Sequence, residues 1–110
     1  MKQYIIDELR PGDYKKIKEY LDRNYGIPIL DGVYRIPLHE HDLNEIQLVH
    51  KDCQPFYFAV TLERTLVSFE FLIRSQHRLR CECVGYANEK QRTSIIEFAD
   101  SIFEELDIIT

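Results

Sequence analysis

From Phe56 to Ile73 apolar and polar residues alternate with the period of two that a half-buried strand imposes. Phe56, Phe58, Val60 and Leu62 oppose Tyr57, Ala59 and Thr61; Val67, Phe69, Phe71 and Ile73 oppose Ser68, Glu70, Leu72 and Arg74. Leu79, Cys81 and Cys83 continue the pattern against Arg78, Arg80 and Glu82. Three such runs with short connections predict antiparallel strands. A slip of one residue would turn every core side chain outward, so matching faces set a register: Leu62 with Val67, Phe58 with Phe71, Ile73 with Leu79 and Phe71 with Cys81. Neither Arg64-Thr65 nor Ser75-Gln76-His77 contains the Gly or Asn that tight hairpins favour, which leaves room for bulges.

The period changes to that of a helix on either side of these runs. Tyr14, Ile17, Leu21 and Tyr25 share one face of a helix expected from Asp13, as N-cap, to Tyr25; Pro11-Gly12 precede it, and Gly26 and Pro28 end it. A second, longer helix is expected from Asn88 to Ile108. Asn88 and Gln91 have capping-box spacing, and Ile95, Phe98, Ala99, Ile102, Phe103, Leu106 and Ile109 form a wide apolar arc opposite Glu97, Asp100, Glu104 and Asp107. Tyr4–Leu9 and Val33–Leu38 read as further strands, the latter an edge or ending at Pro37. Between His39 and Lys51 the pattern is open, with Glu45–His50 either a strand or a short helix. The fold expected is α+β: an antiparallel sheet of four or five strands with the N-terminal and C-terminal helices packed on one face, residues 1–110 forming a single domain. Phe58, Phe69, Phe71, Ile95, Phe98 and Ile102 should meet in one core.

Composition narrows the partners. With 14 Lys and Arg against 19 Asp and Glu, the net charge is −5, which sets the whole molecule against phosphate backbones and anionic membranes. No apolar run approaches the roughly 18 residues of a membrane helix, and the N-terminus lacks the apolar core of a signal peptide. Three cysteines, with Cys81 and Cys83 poorly spaced for a disulfide, suit a reduced, cytoplasmic protein.

Candidate chemistry is sparse. His39, His41, His50 and Cys53 are the most ligand-like set, since zinc accepts imidazoles and thiolates and His-x-His in an extended segment places two ligands on one side. Their spacing matches no specific metal pattern, and the expectation is a solvated loop without metal or other cofactor. Cys81 and Cys83 read as buried structural thiols beside Leu79. Glu70 and Glu82, on strands expected to be adjacent, suggest ion pairing with Arg78 and Arg80. No Gly-x-Ser-x-Gly elbow and no phosphate-binding glycine loop occurs. The stretch Ile6-Asp7-Glu8-Leu9-Arg10-Pro11-Gly12-Asp13 with the helix after it, about one-fifth of the chain, resembles the opening strand and helix of the GNAT acyltransferases. That family holds acetyl-coenzyme A on an Arg/Gln-x-x-Gly-x-Gly/Ala loop. No such loop is present, so the resemblance implies no acyl transfer here.

The face of the sheet away from the helices carries the remaining signal. Tyr57, Leu66, Leu72, Arg74, Arg78, Arg80 and Tyr86 combine the residue types of a protein interface. The function expected is a non-catalytic domain acting through protein contacts, a second copy of itself foremost. A small-ligand or metal-binding regulatory domain is the alternative, and single-stranded nucleic acid on Arg74, Arg78 and Arg80 with the two tyrosines a more remote one.

Overall fold

The computed structural model describes residues 2–28 and 30–109. It is α+β, as the periodicities require: β1 (Gln3–Ile6), α1 (Pro11–Tyr25), β2 (Val33–Pro37), α2 (Glu45–Val49), β3 (Phe56–Leu62), β4 (Val67–Glu70), β5 (Leu72–Ser75), β6 (Gly85–Tyr86) and α3 (Glu89–Glu105). Single 3-10 turns at Glu40–Asp42 and Lys51–Cys53 flank α2, which resolves the open segment as helical. The sheet is antiparallel throughout. β2 lies on one side of β3, while β4 and β5 lie in succession on the other; β1 borders β4, and β6 borders β5.

Tyr34, Ile36, Phe56, Phe58, Val60, Leu62, Val67, Phe69, Phe71 and Ile73 are buried on one face, with Ile17 and Leu21 of α1 and Ile95, Ala99, Ile102 and Phe103 of α3 covering them. Phe98 of α3 is half-buried and joins the layers, its ring edge-on to Phe58, Phe69 and Tyr25 of α1. Both long helices therefore sit on the same face, and the six expected core residues belong to one cluster. Ile109, placed on the apolar arc by its spacing, lies beyond α3 and is exposed.

The first hairpin keeps the expected register at Leu62↔Val67 and extends it to Val60↔Phe69. Phe58 does not pair with Phe71. Further along, Tyr57 pairs with Arg74, so Phe58 and Ala59 of β3 face the four residues Glu70–Ile73. The bulge inserts an even number of residues, and so preserves the alternation: Phe69, Phe71 and Ile73 all stay in the core. Phe71 makes its backbone hydrogen bonds outward, donating to Lys2 O at 2.9 Å and accepting from Ala87 N at 2.7 Å.

The largest departure is the third strand. Ile73 pairs with Gly85 and Leu72 with Tyr86, instead of Ile73 with Leu79 and Phe71 with Cys81. Residues 76–84 form an irregular loop in place of a tight hairpin. Leu79, assigned to the core, is 96% exposed, and Arg78, Arg80 and Glu82 leave the sheet with it. The expected ion pairing of Glu70 and Glu82 with Arg78 and Arg80 is replaced by Arg74–Glu70 at 3.2 Å and by Glu82 beside His50. At α1 the N-cap is Arg10, not Asp13. Asp13 sits at the third helical position and accepts the Arg10 backbone N–H at 3.1 Å, with the Arg10 guanidinium on the same carboxylate. The Arg10 partnership holds the Asp13 carboxyl below its ordinary range.

Candidate metal centre

Two segments far apart in sequence meet beside the end of β5. One carries His50 and Cys53 at the end of α2 and in the turn after it; the other is the 76–84 loop with Cys81 and Cys83. The ligand atoms of these four side chains all lie within 4.8 Å of one another. Cys53 and Cys83 are buried and Cys81 and His50 half-buried, and none of the three cysteines is in a disulfide.

The backbone around the cluster is fixed by buried polar side chains. α2 is a single short helix that would be marginal alone. Asn44 caps it by accepting from Gln47 N at 2.8 Å, and the Gln47 side chain returns the bond to Asn44 N. Gln47 is 1% exposed. Its amide donates to Cys83 O at 3.1 Å, and its oxygen accepts from Gln91 Nε2 at 2.8 Å. Gln91, equally buried, is the matching residue of the Asn88 capping box at the start of α3 and also donates to Asp42 O. Two capping boxes thus interlock and hold the Cys83 carbonyl. Each of these buried groups would cost about 1–3 kcal/mol if left unpaired. Ser75, buried at the end of β5, does the same for Cys53 and the start of the loop. Its hydroxyl donates to Cys53 O and accepts from His77 N and Arg78 N. A turn closed by Val84 N on Cys81 O, at 3.0 Å, then directs both loop cysteines inward.

Electrostatics separate the two loop thiols. Cys81 is lowered to about 7, chiefly because the backbone N–H and the thiol of Cys83 support its thiolate, with His50 adding to them. Cys83 is pushed up to about 12 by burial and by the neighbouring thiols. His50 Nδ1 faces the cluster, 3.2 Å from Cys81 Sγ, while Nε2 points to the Glu82 carboxylate at 3.8 Å. A metal-ligating histidine is typically oriented in this way, one nitrogen on the metal and the other toward a carboxylate. An open cleft of about 430 Å³ lies over the cluster, lined by Val49, His50, Lys51, Asp52, Cys53, Arg78, Arg80 and Cys81. Among the described residues Lys51, Arg78 and Arg80 make no ion pair.

Cys81, His50 and Glu82 are also in the order of a nucleophile, base and orienting acid. That scheme has no use for two further thiols converging on the same point, and its acid is a largely exposed side chain. A tetrahedral metal site uses all four ligand atoms. Three sulfurs and one imidazole are a standard ligand set for structural zinc.

The four ligand-like residues singled out in the sequence are divided. His50 and Cys53 belong to the cluster. His39 and His41 do not: both are exposed, His39 just before and His41 within the 3-10 turn that precedes α2, their rings stacked on each other at 5.5 Å. Cys81 and Cys83 stand in their place: Cys83 is buried in the core as expected, whereas Cys81 is half-buried and borders the open cleft. The residues expected to contact a partner are divided. Tyr57, Leu72, Arg74 and Tyr86 lie on the outer sheet face, Leu66 in the β3–β4 turn, and Arg78 and Arg80 in the loop beside the cysteines. Tyr57 is covered by the Arg35 guanidinium at 4.9 Å, and Arg74 is paired with Glu70. The basic cluster and stacking platforms invoked for nucleic acid are thus split between two surfaces.

No helix among the described residues is long and apolar enough to cross a membrane. Compared with protein-family models, with curated proteins and with solved structures, the chain shows no significant match.

Proposed function

We propose that this chain is a zinc-dependent, non-catalytic interaction domain, in which one zinc ion held by His50, Cys53, Cys81 and Cys83 fixes the 76–84 loop against α2. The convergence of four ligand atoms within 4.8 Å carries this reading. Softness favours zinc, since thiolates and imidazole suit it where carboxylates and waters would suit magnesium or calcium. Three thiolates, a neutral imidazole and a divalent ion leave the centre with one negative charge, and Lys51, Arg78 and Arg80 around it are the complement. With four protein ligands no coordination position is left for substrate, which is the arrangement of a structural site. The ordered loop then displays Arg78, Leu79 and Arg80 at its tip, with the exposed Val49 nearby across the cleft. These are residue types a partner protein would engage.

The test is metal binding by the purified, reduced chain. One zinc per chain is expected, and cobalt in its place should give tetrahedral d–d bands with intense thiolate-to-metal charge transfer. Cys83→Ser should weaken binding strongly, whereas His39→Ala with His41→Ala should leave it unchanged. Absence of stoichiometric zinc after dialysis at neutral pH would end the proposal.

Self-association through the outer sheet face is a separate reading, favoured by Ile5 at 46% and Tyr86 at 54% exposure, on the same face as Leu72. Pairing that face with a twofold copy would remove its apolar area from water. Light scattering should then give a dimer mass that Leu72→Lys returns to monomer; a monomer at high micromolar concentration excludes it.

A further inference from the structure

The cleft beside the metal centre distinguishes its three sulfurs. Cys81 and Cys53 line it; Cys83 does not, lying behind them with its carbonyl bound by Gln47. A small oxidant entering from solvent therefore meets Cys81 first, half-exposed among Arg78, Arg80 and His50, with Cys53 next along the wall. Cys81 and Cys83 are two apart on one tight turn, a separation that strains a disulfide, whereas Cys53 approaches from a different segment. We infer that the metal site is a peroxide-responsive switch, in which Cys81 is oxidised first and Cys53 completes a disulfide that expels the ion. This rests on the zinc reading above and adds a regulation to it.

The chemistry balances with a hydroperoxide as the only oxidant. The Cys81 thiolate attacks the O–O bond, leaving sulfenic acid on Cys81 and releasing hydroxide, which a proton converts to water. The Cys53 thiolate then attacks the Cys81 sulfur. The S–S bond forms, the S–O bond breaks, and the second hydroxide leaves as water. Two electrons pass from the sulfurs to the peroxide, and two protons are taken up from solvent. The ion loses two of its four ligands at that point, and His50 with Cys83 alone does not make a structural site. Reduction by a thiol reverses the exchange and restores the ligands. The structural consequence falls on the 76–84 loop: the new bond holds Cys81 to Cys53 while Cys83 is released from the metal, so the tip bearing Arg78, Leu79 and Arg80 is presented differently in the two states.

The experiment treats the zinc-loaded full chain with hydrogen peroxide and follows zinc with a chromogenic chelator, intact mass, and non-reducing peptide maps. The expected result is release of all bound zinc, a mass loss of two hydrogens, a Cys53–Cys81 linked peptide, and rebinding of zinc after dithiothreitol. Cys53→Ser should instead accumulate sulfenic acid at Cys81 that dimedone traps, and this measurement on the oxidised side chain does not depend on the variant's metal affinity. Retention of zinc under peroxide, a link through Cys83, or progression to sulfinic acid without a disulfide would each overturn the switch while leaving the zinc reading intact. A chain that takes up no zinc before peroxide is added overturns both.

Discussion

Removing zinc from the loaded chain with a chelator is expected to lower its unfolding free energy by about 4 kcal/mol when free zinc had stood at roughly a thousand times the dissociation constant. For a domain of this size that is a fall in Tm of roughly 15 °C, at about 4 °C per kcal/mol. The effect is large because the ligands come from segments 28 or more residues apart in sequence, so the unfolded chain holds no comparable site. It is nonetheless smaller than in an isolated zinc finger, which unfolds without its ion. Here Phe56, Phe69, Phe71, Ile73, Ile95 and Ile102 are all buried in an extended core, and both long helices pack on it. The stripped chain should therefore stay folded, with the loss localised. Hydrogen exchange should accelerate at Cys81–Val84 while the amides of β3 keep their protection. A Tm insensitive to chelation would contradict the metal centre, and complete unfolding would contradict the independence of the core.

That division between core and loop also marks where the sequence was informative. β3, β4 and the N-cap of α3 were legible because each is set locally: alternation over seven residues for β3, and Asn88 with Gln91 for α3. The same capping signal stands in Asn44-Glu45-Ile46-Gln47 and would have resolved α2 as a helix, but a helix this short offers too little periodicity to draw attention. The run Leu79-Cys81-Cys83 failed for a different reason. Alternation reports only that every second residue resembles its neighbours; it cannot report whether a partner strand exists. Here two cysteines are apolar enough to imitate a buried strand face while lying beside His50 and Cys53. The missing Gly or Asn at Ser75-Gln76-His77 did not separate the cases, since Arg64-Thr65 lacks them too and still closes the β3–β4 hairpin. Half of the four-residue cluster was visible because His50 and Cys53 are near each other in sequence. The other half depended on Ser75 and Gln47 bringing the loop back over α2, a tertiary event with no local signature.

Phe71→Ala is expected to cost about 3–5 kcal/mol, the other large effect in this molecule. The ring is 1% exposed at the centre of the bulge between β4 and β5 and faces the core with Phe69 and Ile73. Arg92 of α3 lies over it at 5.5 Å, so the ring also carries a contact from the helix above. The site has little means of collapsing around the loss. On one side Phe71 N is bound to Lys2 O and on the other Phe71 O accepts from Ala87 N, so moving the backbone inward would break bonds to both bordering segments. A residual cavity is therefore expected, and the cost should lie toward the upper part of the range. Leu79→Ala is the matched comparison, because alternation alone assigned both residues to the core. With Leu79 96% exposed, that change should stay within about 0.5 kcal/mol. Urea denaturation of the two variants decides the matter: equal losses would restore a third strand through Leu79, whereas a loss confined to Phe71→Ala leaves Leu79 in the 76–84 loop, outside the sheet.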